Sequence, residues 1–150
     1  MIAFYSTSGS TENLSTAAAV GVVQGRAGIR LRRIPDSGSP SPACDSPEIE
    51  ETLERMRKEY VDPTESDILA ADALVFGVPA DFAMPSREWK VYLDLLARLR
   101  SEGKLAGKIG VAIGREPGLS AFAAAIAPLE LAGPESDPSL PGKVSTDDAV

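Results

Sequence analysis

The chain has 150 residues, 43% of them hydrophobic, and carries a formal net charge of −7 with a pI of about 4.6. That length suits one domain with a substantial core, and an acidic balance without any basic run argues against nucleic acid or an anionic membrane surface as a partner. A single Cys excludes an internal disulfide, and the absence of His removes the usual parts of zinc sites and of Ser–His or Cys–His catalysis.

Any chemistry is therefore expected to be carried by a cofactor. The chain enters the apolar run Ile2, Ala3, Phe4 and Tyr5 at once, read as a first strand. No charged segment followed by a long apolar stretch precedes it, so neither a signal peptide nor membrane insertion is expected, and a cytoplasmic location is. Residues 5–13, YSTSGSTEN, then lead into a helical pattern marked by Leu14, Ala18 and Val22. A turn between strand and helix points backbone N–H groups and the positive end of a helix dipole at one spot, which suits a phosphate. Ser6, Thr7, Ser8, Ser10 and Thr11 add hydroxyls, and Gly9 permits close backbone approach. The loop holds no Lys or Arg and lacks the GK(S/T) ending of a Walker-type loop, so its anion would rest on dipoles and hydroxyls. The plainer alternative is a helix start capped by Ser or Thr.

Residues 29–34, IRLRRI, alternate apolar and basic side chains as an edge strand does. Residues 35–47 are rich in Pro and Ser and read as a surface loop; Cys44 within it has no evident base or cation beside it and is read as an unpaired thiol without a role. A helix is expected over 47–60, with Ser46 at the N-cap, Pro47 at N1 and a buried stripe of Ile49, Leu53, Met56 and Tyr60. Thr64 and Asp67 have the spacing of a capping pair. ALVFGV at 73–78 and IGVAI at 109–113 are short enough for buried parallel strands. Between them, 86–101 reads as a helix with Trp89, Leu93 and Leu96 inward, and the spacing of Trp89 and Tyr92 favours core packing over ligand contact. A last helix is expected over 119–131, marked by Phe122, Ile126 and Leu129. The polar residues 134–150 read as a tail to a domain of residues 1–133.

Strands alternating with helices imply an α/β, doubly wound, mainly parallel sheet, whose ligands bind beyond the carboxyl ends of the strands. The loops at 6–11, 79–85 and 114–118 should converge there. Residues 5–13 resemble the FMN-phosphate loop of flavodoxins, with Ser6, Ser8, Gly9 and Thr11 on the motif positions. Residues 71–94, ADALVFGVPADFAMPSREWKVYLD, are similar to the third strand, flavin loop and next helix of the NAD(P)H:quinone oxidoreductases related to the tryptophan-repressor-binding protein, with Pro79, Phe82, Lys90, Leu93 and Asp94 on matching positions. The resemblance implies a flavodoxin-like fold of strand order 2-1-3-4-5 and an FMN site formed by Ser6, Thr7, Ser8, Gly9, Ser10, Thr11, Pro79, Ala80, Asp81, Phe82, Ala83, Gly114, Arg115 and Glu116. It implies electron transfer from NAD(P)H to a small quinone-like acceptor. A flavodoxin-type one-electron carrier and a flavodoxin-fold binding module without a working flavin site are the alternatives. Carriers usually sandwich the flavin between two aromatic rings; Phe82 is the one aromatic in the two later loops, which leaves a face open for a hydride donor.

The departures from that pattern are local. Ala80 and Asp81 stand where the family commonly has Thr-Arg, and an acid there would either accept from the flavin N3–H or repel a nicotinamide phosphate. The loop after the fourth strand is short, Gly114-Arg115-Glu116-Pro117-Gly118, and the flanking His and Tyr are missing. No fifth strand is evident. The uncharged strand at 109–113 would then lie at the sheet edge, and either the tail, through KVST at 143–146, or a second subunit is expected to cover it. Receiver domains and small tyrosine phosphatases use the same fold, but the acidic pair of the first and the Cys and Arg of the second are lacking.

Overall fold

The computed structural model describes residues 1–37, 46–84 and 86–133. Cys44, the segment 143–146 and the whole of 134–150 lie outside the described residues. The elements run β1 (Ile2–Phe4), α1 (Ser10–Gln24), β2 (Leu31–Arg33), α2 (Pro47–Glu59), α3 (Glu65–Ala70), β3 (Ala73–Val78), α4 (Arg87–Ser101), β4 (Ile109–Gly114) and α5 (Gly118–Ile126), followed by a 3-10 turn at Ala127–Leu129. The sheet has four strands in the order β2-β1-β3-β4, and every pairing is parallel. Ile2 pairs with both Leu31 and Val75, and Ala73 through Val78 pair in step with Ile109 through Gly114. All the strands therefore end at the same pole.

The runs in β1 and β3 form central strands because nearly every residue in them finds apolar cover: Ile2, Phe4, Leu74, Phe76 and Val78 are at most 1% exposed. Phe76, Phe82, Trp89, Tyr92 and Phe122 make an aromatic centre. Trp89 lies 4.8 Å from Phe122 and 6.3 Å from Phe82, ring centre to ring centre. Leu96 and Leu99 of α4 extend this core, and Trp89 and Tyr92 belong to it as their spacing implies. A smaller cluster joins Phe4 to Leu53 and Met56 of α2, with Tyr60 edge-on to Phe4 at 5.0 Å.

Arg32 on β2 and Arg30 just before it converge on Asp67, at 3.0 and 3.1 Å, while Asp67 also closes the expected capping box with Thr64. These bonds, those from Arg32 foremost, hold the Asp67 carboxylate down to about 2. Basic residues of the edge strand thus fasten α3 to the sheet.

Two expectations are corrected. In α1 the buried residues are Thr11, Glu12 and Ser15, while Leu14 and Val23 are exposed and Val22 is half-buried. The run TAAAVGVV has no charged side to direct the helix, so close approach decides its orientation. Ser15 packs over Gly77, where a Cβ would collide with the Ser15 hydroxyl and lie 2.6 Å from Phe4 Cβ. The last helix stops at Ile126, because Pro128 follows and the chain tightens to a 3-10 turn that ends with Glu130 in the left-handed region at φ 52°. The sheet has four strands as expected, with no fifth among the described residues; beside β4 a single parallel bridge joins Ala132 to Ile109, the Ala132 N–H donating to Lys108 O and its carbonyl accepting from Gly110 N. Gly110 makes this possible, since a Cβ there would sit 2.7 Å from the Leu131 side chain.

Candidate active site

Beyond Phe4 the chain leaves the sheet and turns at Ser6. The buried Ser6 hydroxyl accepts from Gly9 N–H at 3.0 Å, and Gly9, at φ 87°, adopts the left-handed conformation that glycine takes without cost. Gly9 is the N-cap of α1 and offers no side chain to its first amides, so the N–H groups of Ser10, Thr11 and Glu12 lack a side-chain cap. Uncapped amides at the positive end of a helix form an anion site. Ser8 and Ser10 hydroxyls stand 3.4 Å apart on the exposed rim.

The loop also has charged neighbours that its own residues do not reveal. Arg33, at the end of β2, is buried to 4% side-chain exposure, and its Nη2 donates to Ser6 O at 2.9 Å. Asp36 pairs with it at 3.0 Å and with Arg57 at 2.9 Å, and the guanidinium lies 5.5 Å from the Tyr5 ring centre. Burial alone would raise Asp36, but hydrogen bonds from Arg33 and Arg57 outweigh it and hold the carboxylate below its ordinary range. Glu12, in the first turn of α1, would oppose an anion if left bare. Instead Arg55 grips it with two bonds of 2.9 and 2.7 Å and Tyr60 adds a third at 2.7 Å, and the Arg55 bonds keep it low in pKa.

The two later loops are tied together by glycine. Gly118 donates to Ala80 O at 2.8 Å, and a Cβ on it would overlap Pro79 O and come within 2.8 Å of Ala80 O. Gly114 is similar, with its absent Cβ 2.5 Å from Val78 O. Between these loops and the start of α1 lies a cavity of about 440 Å³ lined by Ser10, Thr11, Asn13, Leu14, Val78, Ala80, Gly114 and Arg115. Ser10, Thr11, Asn13 and Arg115 supply polar groups to its lining and Leu14, Val78 and Ala80 apolar ones, the mixture found in small-molecule sites.

Of the fourteen site residues expected from sequence, Ser10, Thr11, Ala80, Gly114 and Arg115 line the cavity. Ser6 and Gly9 shape the turn beside it, while Thr7 and Ser8 complete that loop. Pro79 accepts from Phe82 N–H at 3.1 Å and closes a tight turn, and Asp81 and Ala83 are exposed on it. Phe82 is not in the lining: its ring is 5% exposed and packs against Trp89 and Phe122. Glu116 turns toward α5, accepting from Ser120 N and Oγ at 3.2 and 2.7 Å. Asn13, Leu14 and Val78 were not expected. The signal was present for Leu14, which shares a helix face with Thr11 at i, i+3. Among the described residues no group of three or more acids or Cys could hold a metal ion, and no helix is long and apolar enough to cross a membrane.

No family model matches the chain. It is similar to an NAD(P)H dehydrogenase (quinone) of Archaeoglobus fulgidus, 29% identical over 110 residues, which are 73% of this chain and 57% of that protein. An NAD(P)H dehydrogenase (quinone) 3 of Rhizobium meliloti is 30% identical over 110 residues, 49% of its length. The fold matches a crystal structure described as the flavodoxin, WrbA-like protein from Agrobacterium tumefaciens, with TM-score 0.55 over 88% of this chain and 72% of that one, at 20% identity. The fold is flavodoxin-like. It spans about half the length of the curated relatives it matches. The cavity lies at the carboxyl ends of β3 and β4 beside the start of α1, on the pole of the sheet where ligands of such folds bind.

Proposed function

We propose that the chain is an FMN-dependent oxidoreductase that takes electrons from NAD(P)H and passes them to a small quinone-like acceptor. The observation that carries this reading is the juxtaposition of an uncapped helix N-terminus with a cavity of about 440 Å³ whose far wall is two glycine-tied loops. The donor set fits a flavin mononucleotide: the amides and hydroxyls of Ser10 and Thr11 take the phosphate, and Val78, Ala80 and Gly114 give the ring an apolar wall. Bound there, the flavin would supply the hydride and electron-transfer chemistry. The chain's own part is to bind, orient and exclude water, and no side chain need act as acid or base. Arg115 places one positive charge on the rim, where an anionic nucleotide would approach.

A reductase is favoured over a one-electron carrier because neither later loop offers an exposed aromatic ring to sandwich a flavin; Phe82, the aromatic of those loops, is committed to the core. The relatives' names as NAD(P)H dehydrogenases (quinone) support the same reading. Titration with FMN and riboflavin tests the site, and FMN should bind far more tightly. Stopped-flow mixing of the loaded protein with NADH or NADPH should bleach the flavin with a saturating rate, and a small quinone should restore it. Equal affinity for FMN and riboflavin would remove the phosphate site, whereas tight FMN binding without reduction by either nucleotide would move the assignment to the carrier.

A further inference from the structure

We propose that Arg33 is the positioning residue of the phosphate loop and the cation that lets the loop discriminate a phosphorylated flavin from its dephosphorylated form. The proposal rests on the FMN reading above and adds a residue 27 positions away from Ser6 in sequence. The first observation is geometric. Arg33 Nη2 holds Ser6 O at 2.9 Å. In a trans peptide the carbonyl and the following N–H point in opposite directions. Drawing Ser6 O toward the guanidinium therefore turns Thr7 N–H away from it, and that N–H has no partner among the described residues. Together with Ser6 Oγ, which fixes Gly9 N–H at 3.0 Å, this bond sets the orientation of both peptide groups on which the turn depends.

The second observation is electrostatic. Arg33 is 4% exposed at the side chain, and its Nε is buried without a partner among the described residues. Asp36 is its one ion-pair partner among the described residues and is shared with Arg57, which in turn also pairs with Glu50 at 3.4 Å, so the group is balanced overall while Arg33 itself holds only part of one carboxylate. Glu12, which Arg33 also attracts, is matched by Arg55, which serves Glu59 as well. A dianion in front of the uncapped α1 amides thus has a buried cation behind the loop, in a setting where water screens little. Phosphate binding needs no cation on the loop itself when one stands behind it.

The test compares dissociation constants of FMN and riboflavin, read by flavin fluorescence, with urea midpoints measured alongside. Arg33→Met should lower the FMN preference about tenfold or more, as loss of a charge-assisted contact does, with riboflavin affinity nearly unchanged. Arg33→Lys, which keeps the charge but cannot serve Ser6 O and Asp36 with one planar fork, should fall between. Asp36→Asn should move the preference the other way, because it unmasks Arg33; a role confined to holding the loop in shape predicts a loss instead. A folded Arg33→Met with unchanged preference would overturn the proposal. Should that variant not fold, an unchanged preference in Arg33→Lys, or a fall in Asp36→Asn, overturns it equally. If the parent protein itself fails to prefer FMN, the underlying phosphate reading falls, which the variants alone would not show.

Discussion

Replacing Gly118 by Ala adds one methyl group at the place where the two later loops meet. That methyl would overlap Pro79 O and stand 2.8 Å from both the carbonyl carbon and oxygen of Ala80. All three are backbone atoms, so no side chain can swing aside. Overpacking of this kind costs about 1–3 kcal/mol, and displacement of the loop also weakens the 2.8 Å bond from Gly118 N to Ala80 O, worth about 0.5–1.5 kcal/mol. The expected destabilisation is about 2–4 kcal/mol, or on the order of 5–15 °C in Tm for a domain of this size. Trp89 is the single tryptophan and is 1% exposed, so its fluorescence reports urea unfolding directly. The midpoint should fall with the slope preserved. Gly21→Ala provides the opposite sign: Gly21 lies inside α1 with nothing within 4 Å of an added Cβ, and the change should stabilise by up to about 1 kcal/mol. If Gly118→Ala and Gly21→Ala move the midpoint in the same direction, or Gly118→Ala stays within about 0.5 kcal/mol of the parent, the loops are not tied as described.

Thr11→Val keeps the shape of a side chain that is 6% exposed and deletes one hydroxyl from the anion site. FMN binding should weaken by about 1.5–3 kcal/mol, or one to two orders of magnitude in Kd, while riboflavin titrates as before; an unaltered FMN curve removes Thr11 from the site. Asp67 titrates at about 2 in the folded chain and near 3.9 when unfolded. A folded pKa below the unfolded one gives stability that is present above the unfolded value and lost as pH falls through the folded one. The parent should therefore lose stability between about pH 4 and pH 2, and Asp67→Asn should flatten that stretch of the urea-midpoint profile. Identical profiles would show that Arg30, Arg32 and Thr64 do not hold the charged form.

The sheet was legible because its strands are short apolar runs. ALVFGV and IGVAI can be satisfied only between neighbours, and the parallel order β2-β1-β3-β4 follows from alternation with helices. The turn from β1 into α1 was legible too, since Ser6 and Gly9 act within a few residues of each other. What escaped depends on long-range pairing. Arg33 reads as one of several basic residues on an edge strand, yet Arg30 and Arg32 go to Asp67 while Arg33 goes to Ser6. Alternation along the strand separates Arg32 from Arg33, but it does not say what waits on either side. Phe82 sits in a loop, and only the position of α5 shows that Phe122 draws it inward. The orientation of α1 was hidden for a different reason: a helix nearly free of charge presents no stripe, and the missing Cβ of Gly77 settled how it docks.

Phe82 and Phe122 belong to the two loops' own elements, and both pack on Trp89. Loops beside a ligand usually come from the least stable part of a fold and open independently of the rest. Here the cavity wall at Ala80 cannot swing outward without drawing Phe82 from the aromatic centre; the Phe82 amide closes the turn on Pro79 O, and the Gly118 amide bonds across the junction to Ala80 O. Exchange of those two amide protons is thereby coupled to breathing of the core, and the pocket is preorganised: a ligand that fits it has little loop entropy left to freeze.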